Sequence, residues 1–396
     1  MTGTMSHPYQ DCFRQPFAKY LLSTNLVGRL QNGMGSLSIA LSTRYEGLPY
    51  ERVGLLVGVF AVAAAIGGPF LGRAVDKRGQ AKVLLASAVG SATGFLLLAV
   101  ATPSSLSVPL VAVFLAGSLS PPLEPCLRSL WSTILKEQQL VTAAYSLDAS
   151  LQQIIYVTGP LIVVGIAATT SPTYGLFFVA GVTLIGTFLF VGAKPVRQWR
   201  GRPKDSNWAG PLRSSELRTT LTSLGGVGFV LGVFSIATVM YGETNSTSSN
   251  TSGVLLGVHA VGALIGGLVY GSRRWPGRSE THLKLLLTGL AACYIPLLTL
   301  PSIGPMVILM GIAGLFLSPV LACGFIIIDE VAPEGTKTEA FAWVVTVTLI
   351  GNALGSATSG AIQSAGLWVV FSLPLIAGLS ALTVSLFIRP ENESAA

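Results

Sequence analysis

Charge is what this sequence has least of. Asp, Glu, Lys and Arg make up 10% of its 396 residues, whereas a soluble domain carries about 25%. So few charges cannot coat a water-facing surface, which excludes an ordinary soluble enzyme or binding module. Histidine occurs three times and cysteine four times. Cys126, Cys293 and Cys323 lie in apolar runs, Cys12 lies in the N-terminal tail, and no CxxC spacing exists. Neither a disulfide framework nor a metal site is expected, and no cofactor. The chain also lacks a P-loop GxxxxGKS/T, an HExxH and a GxSxG. ATP-driven pumping and the familiar hydrolases are therefore without their motifs, and no enzyme activity is expected.

What remains is apolar. Hydrophobic residues reach 51%, with 45 glycines, a composition suited to helices packed closely in lipid. One stretch organises the rest. From Val53 to Leu71 no residue is charged, which is about the ~20 residues a bilayer-crossing helix needs. A basic segment then holds Arg73, Asp76, Lys77, Arg78 and Lys82. The apolar run recurs 199 positions later. GLLVGVFAVAAAIGGPFLG (54–72) and GVLLGVHAVGALIGGLVYG (253–271) share 11 of 19 residues, including the pairs Gly67-Gly68 and Gly266-Gly267. AGSLSPPL (116–123) likewise matches AGLFLSPVL (313–321), and TAAYSLDA (142–149) matches TEAFAWVV (338–345). The spacing predicts a duplicated set of helices, as secondary transporters have.

Hydropathy predicts twelve spans: 18–42, 52–72, 82–102, 107–132, 140–168, 173–193, 219–241, 253–271, 282–300, 304–328, 338–363 and 367–388. The polar first 16 residues and the lack of a small-residue cleavage site predict that the first span is retained. The formal charge of +7 would suit nucleic acid, but 20 of the 24 Lys and Arg residues fall in the tails and alternate loops. That pattern predicts no nucleic-acid partner and both termini in the cytoplasm. The segment 194–218, with seven basic residues and Pro195, Pro203 and Pro211, reads as a cytoplasmic linker between a first half (1–193) and a second (219–396).

Ionisable residues inside spans are costly and mark function by default. Arg29, beside Gln31 and Asn32, lies in the first span; Glu124 and Arg128 lie in the fourth. Glu124 can pair with Arg29 or, one turn away, with Arg128, and can carry a proton because burial raises its pKa and a cation lowers it. Asp148 in the fifth span is expected to bond Arg128 as a fixed contact. His259 stands where the repeat has Phe60 and is either a packed histidine or a proton or ligand site. Asn32, Phe234, Thr238 and Ser318 are candidate cavity residues, with Phe229, Ser235, Tyr241, Cys323 and Phe325 beside them. Asp329 and Glu330 read as ordinary loop acids.

The run Gly72-Arg-Ala-Val-Asp76-Lys77-Arg-Gly79 resembles the signature between the second and third helices of the major facilitator superfamily. The Ser-Pro-Pro-Leu fourth span and Thr-Glu-Ala-Phe-x-Trp eleventh are similar to short actinobacterial exporter-like members. The resemblance implies an all-α membrane protein of twelve transmembrane helices in two pseudo-symmetric six-helix bundles. It further implies a gating motif of Gly72, Asp76, Lys77 and Gly79, in which Asp76 caps the eleventh helix near Thr338. Arg29 and Glu124 would border the central cavity. The chain departs from the family where Gln80 and Ala81 replace basic residues and where Trp275 occupies the repeat position of Asp76. Of the fifth-span antiporter motif, Gly159-Pro160 is present, but Ile155 and Val163 replace glycines. The expected activity is export of a drug-like or amphiphilic solute in exchange for protons, or else uptake or exchange of a sugar or metabolite, by a monomer in the inner (plasma) membrane.

Overall fold

A computed structural model describes residues 8–101, 106–201, 210–245 and 250–388, and every regular element among them is helical. Residues 202–209 of the expected linker, Pro203 among them, and Arg389 lie outside the described residues. The helices are α1 (Pro8–Arg14), α2 (Ala18–Tyr45), α3 (Tyr50–Arg78), α4 (Gln80–Val100), α5 (Ser107–Ser118), α6 (Leu123–Ile134), α7 (Gln138–Thr169), α8 (Pro172–Gly192) and the short α9 (Lys194–Gln198). There follow α10 (Ser215–Asn245), α11 (Thr251–Ser272), α12 (Ser279–Tyr294), α13 (Ile303–Gly314), α14 (Leu317–Val331), α15 (Lys337–Ala361) and α16 (Leu367–Ser385).

Eleven segments among the described residues are long and apolar enough to cross a membrane. The twelfth crossing is α2, whose 28 residues suffice in length. It is less apolar because Asn25, Arg29 and Gln31 are buried on its inner face. Glycines hold it against α8, where a Cβ on Gly186 would fall on the backbone of Gly28. The outer surface is apolar. Ile66, Phe70, Leu161 and Phe188 are all more than half exposed, an arrangement that only lipid solvates well. The chain is a multi-pass membrane protein.

The spans differ from the hydropathy reading at four places, each with a local cause. In the ninth, α12 stops at Tyr294 just before Pro296, and a 3-10 turn (Pro296–Thr299) follows. The fourth breaks between α5 and α6 at Ser120-Pro121-Pro122, since proline has no N–H to continue a helix. The tenth breaks between α13 and α14, three residues before Pro319 at its nearer edge. The second runs on through the basic segment to Arg78 and stops only at Gly79, whose φ of 87° suits glycine. Asp76 therefore rides on a rigid helix and not on a loop.

The sequence repeat is repeated in the contacts. Gly67 lies against the Ser118 backbone and Gly266 against that of Leu315, while Gly117 meets the Phe60 carbonyl and Gly314 the His259 carbonyl. These pairs sit 197 to 199 positions apart, so the two copies cross their helices at matching points through small residues. Helices α2–α8 pack chiefly among themselves, as do α10–α16, and the two groups meet along α3 with α15 and α7 with α11. Both described termini and most of the basic residues lie at one end of the bundle, called the basic end below.

Candidate functional site

Three helices bring four charges into one ring. Arg29 comes from α2, Glu124 and Arg128 from the start of α6, and Asp148 from α7. The Pro121-Pro122 break decides the position of Glu124, because it starts a new helix at mid-depth and puts the acid in its first turn, where the helix dipole favours it. Arg128 follows one turn later and pairs closely with Glu124. Arg128 Nε donates to Asp148 Oδ2 at 2.7 Å, Asp148 Oδ1 takes Arg29 Nη1, and Arg29 Nη2 lies 3.4 Å from Glu124 Oε2. All four are at most 4% exposed. Both pairings open to Glu124 in the sequence are thus made at once, and Asp148 bonds Arg128 and Arg29 together. Two cations and two anions sum to zero, so no uncompensated charge is left in the interior. Leaving one would cost several kcal/mol. Asn25 Nδ2 donates to the Leu123 carbonyl at 2.7 Å and steadies the start of α6. Arg29 Nε has no hydrogen-bond partner among the described residues.

Beside the ring lies a cavity of about 400 Å³ between the two helix groups. On one side it meets Glu124, Arg128, Gln152 and Tyr156; on the other it meets Phe234, His259, Phe325 and Asn352. Arg128 crosses this division, its guanidinium carbon 3.6 Å from the centre of the Phe325 ring, a close cation–π contact. His259 packs on Phe234 with ring centres 4.2 Å apart, and its Nε2 is buried with no partner among the described residues.

Of the residues singled out in the sequence, Glu124, Arg128, Phe234 and His259 reach the cavity, with Ser235 and Phe325. Arg29 and Asp148 stand behind its charged wall. Thr238 and Ser318 do not reach it. Both are fully buried, and their hydroxyls donate to the Phe234 carbonyl at 2.7 Å and the Ala149 carbonyl at 3.4 Å. Asn32 is exposed and is not part of the wall. Tyr241 bonds the Pro301 carbonyl instead. Sequence reasoning missed Gln152, Tyr156 and Asn352. A signal existed for two of them, since Asp148, Gln152 and Tyr156 recur every four residues and so share one face of α7.

At the basic end, Asp76 reaches across the α3–α15 seam. Its carboxylate accepts the backbone N–H of Thr338 at 3.2 Å and of Glu339 at 2.9 Å. Thr336, which precedes α15, makes no side-chain cap of its own, so the cap comes from another helix. An anion there meets both free N–H groups and the positive end of the helix dipole. One turn earlier, Arg73 donates twice to Glu339, at 2.9 Å each. Gly72 allows this approach, because a Cβ there would lie 2.9 Å from the Glu339 Cα. Gly79 ends α3 beneath Trp199 and Arg200, and Lys77 points to the exposed side. Gln80, which replaces a basic residue of the signature, is fully buried and donates to the Cys126 carbonyl and Ser129 Oγ on α6, at 3.0 and 3.1 Å. Asp329 is more than a loop acid: α14 continues to Val331, and Asp329 takes Lys337 Nζ at 2.6 Å and Ser132 Oγ at 2.9 Å.

A model of the Major Facilitator Superfamily matches residues 26–301. No curated protein matches the sequence. Among solved structures, a variant of the E. coli fucose:proton symporter is 12% identical, with a TM-score of 0.77 over 95% of this chain and 98% of that one. A bacterial homologue of the iron transporter ferroportin, outward-facing, is 14% identical with a TM-score of 0.74 over 93% and 98%. A human organic anion transporter is 15% identical with a TM-score of 0.73 over 94% and 100%. At such identities these likenesses speak for the fold alone. The match of the family model over most of the chain, on twelve crossings with two interlocked helix groups, places this protein in the major facilitator superfamily, among the secondary transporters.

Proposed function

We propose that this protein exports a small amphiphilic organic solute in exchange for protons. The two helix groups (1–193 and 219–396, joined through 194–218) would rock about the central cavity in alternating access. The observation that carries the reading is the cavity's division into a charged wall, with Glu124 and Arg128, and an aromatic wall, with Phe234, His259 and Phe325. A solute with a polar end and an apolar body satisfies both. The ring of charges is balanced, so nothing there offsets a solute of high net charge. Among the described residues Glu124 is the one carboxylate on the cavity wall; protonating it would free Arg128 and Arg29 from one partner and loosen the ring. In this reading Asp76 and Glu339 close the basic end, which is cytoplasmic, and the protein works as a monomer in the plasma membrane.

A second reading, proton-coupled uptake of a sugar or metabolite, draws on the amides of Gln152, Gln153 and Asn352, which suit hydroxyl groups. Proteoliposomes carrying a trapped pH-sensitive dye, screened with lipophilic dyes, antibiotics and simple sugars, separate the two. Lipophilic compounds are expected to trigger proton flux; a response to sugars alone would move the assignment to the second reading. Glu124→Gln is expected to cut gradient-driven flux at least tenfold while substrate exchange without a gradient persists. A monodisperse variant with full gradient-driven flux would rule Glu124 out as the proton site.

A further inference from the structure

The repeat has lost its second switch, and something else spans the second seam. Trp275 stands where Asp76 stands in the first copy. Its indole N–H turns back to the Tyr270 carbonyl at 2.8 Å, and its ring stacks on Tyr270 at 5.7 Å. It offers nothing to the start of α7, where Glu137 makes no side-chain cap. Arg274, next to Trp275, bonds Gln139 in the first turn of α7, but at the exposed edge. Among the described residues, this end of the α7–α11 seam therefore has no buried anion like the one that ties α3 to α15. What lies over it is α1. This helix precedes the first span and packs on α7, α11 and α2. Its inner face is Pro8 and Cys12, both buried, while Gln10 and Arg14 face outward. Tyr9 reaches into α11, its hydroxyl donating to the Leu268 carbonyl at 2.7 Å and the Gly267 carbonyl at 3.2 Å. The slot exists because residue 271 is glycine: a Cβ there would collide with the Tyr9 hydroxyl and with Ser146 of α7. Gly271 is the repeat partner of Gly72, so the same small residue serves helix contact in both copies and, in the second, strap docking as well.

We propose that α1 is a strap across the second seam, holding the basic end closed through Tyr9 in place of the missing acid, and that it must undock before that end can open. The inference rests on the alternating-access reading above. It makes the gate asymmetric: a buried carboxylate locks one seam, while at the other an exposed Arg274–Gln139 bond is joined by a neutral hydrogen bond from a segment outside the membrane-spanning bundle.

Cys12 reports the strap directly. It is 2% exposed, and burial pushes its thiol up to about 11. Docked, it is both covered and protonated, and so slow toward a maleimide, which reacts with the thiolate. The experiment uses the full chain with Cys126, Cys293 and Cys323 changed to alanine, and times maleimide labelling of Cys12. Tyr9→Phe is expected to raise the rate roughly fivefold, as loss of one neutral hydrogen bond implies. Tyr20→Phe, which removes the bond from Tyr20 to the Leu189 carbonyl inside the first helix group, is expected to leave it unchanged. Asp76→Asn, on the opposite seam, is expected to raise it at least tenfold, because both seams part together.

Spin labels at exposed positions 78 and 278 follow the opening of the basic end in the same variants. If Asp76→Asn lengthens that distance while Cys12 labelling stays slow, α1 is a fixed packing helix and the strap is overturned while alternating access stands. If the distance does not change, alternating access itself fails and the strap with it. Equal acceleration by Tyr9→Phe and Tyr20→Phe would mean general loosening and would also overturn it.

Discussion

Arg29→Leu is expected to destabilise the protein severely, and Arg29→Leu combined with Asp148→Leu is expected to recover most of the loss. The single change takes one cation from the ring and leaves Glu124 and Asp148 sharing Arg128. One net negative charge then sits in the interior, which costs on the order of 3–5 kcal/mol. Desolvation decides this effect over the lost hydrogen bonds, each worth only about 1–3 kcal/mol when a charge takes part. The double change removes one charge of each sign and leaves Glu124 paired with Arg128 one turn away. The cavity left by the shorter side chains keeps the recovery incomplete. Thermal unfolding of the four members of the cycle in detergent measures the coupling. Losses that simply add would mean that the ring is no electrostatic unit, and that each charge is solvated independently through the cavity.

Asp76→Asn is expected to shift the balance between closed and open basic ends by roughly 10- to 100-fold, the value of a charge-assisted hydrogen bond of about 1.5–3 kcal/mol. Asparagine keeps one acceptor oxygen, but its NH2 group faces an N–H that the second carboxylate oxygen had accepted. The attraction to the α15 dipole is lost as well. The neighbouring Arg73–Glu339 pair is expected to be the weaker lock despite its two bonds. Glu339 is buried, but the arginine side chain is 30% exposed, so water screens the pair in part and can replace the arginine when it is lost. Arg73→Gln is accordingly expected to move the equilibrium by no more than about fivefold. The distance between labels at 78 and 278 ranks the two variants. A larger shift from Arg73→Gln than from Asp76→Asn would reverse the assignment of the main lock.

Much of the architecture was legible because a bilayer is a demanding solvent. Every backbone group inside it must be bonded within its own segment, so apolar runs of sufficient length have few alternatives to helices. Charge confined to alternate loops supplied the order of crossings, and glycines in register at 67 and 266 marked a duplicated helix whose crossing points recur in the structure. Prolines 121 and 122 predict a kink in the fourth span, but only the fold shows how far it goes: the helix restarts at Leu123 and sets Glu124 in its first turn. The basic segment after Gly72 looked like a loop because it is polar, yet nothing before Gly79 breaks a helix, and so α3 carries Asp76 to the seam.

The functional side chains were harder to place. Where all faces of a helix are apolar, hydrophobic periodicity does not tell lipid from interior. The polar candidates Thr238 and Ser318 therefore read as cavity residues, although in the fold each spends its hydroxyl on a helix carbonyl. Chain composition alone determined that this is a helical membrane protein, and local patterns determined where its spans lie, because both depend on sums over neighbouring residues. Only the tertiary structure decided that Arg29, Glu124, Arg128 and Asp148 close into one neutral ring, and that Tyr9 lies across a seam 258 residues away. Those outcomes depend on the rotation of each helix about its axis, which distant packing through small residues sets and no local pattern encodes.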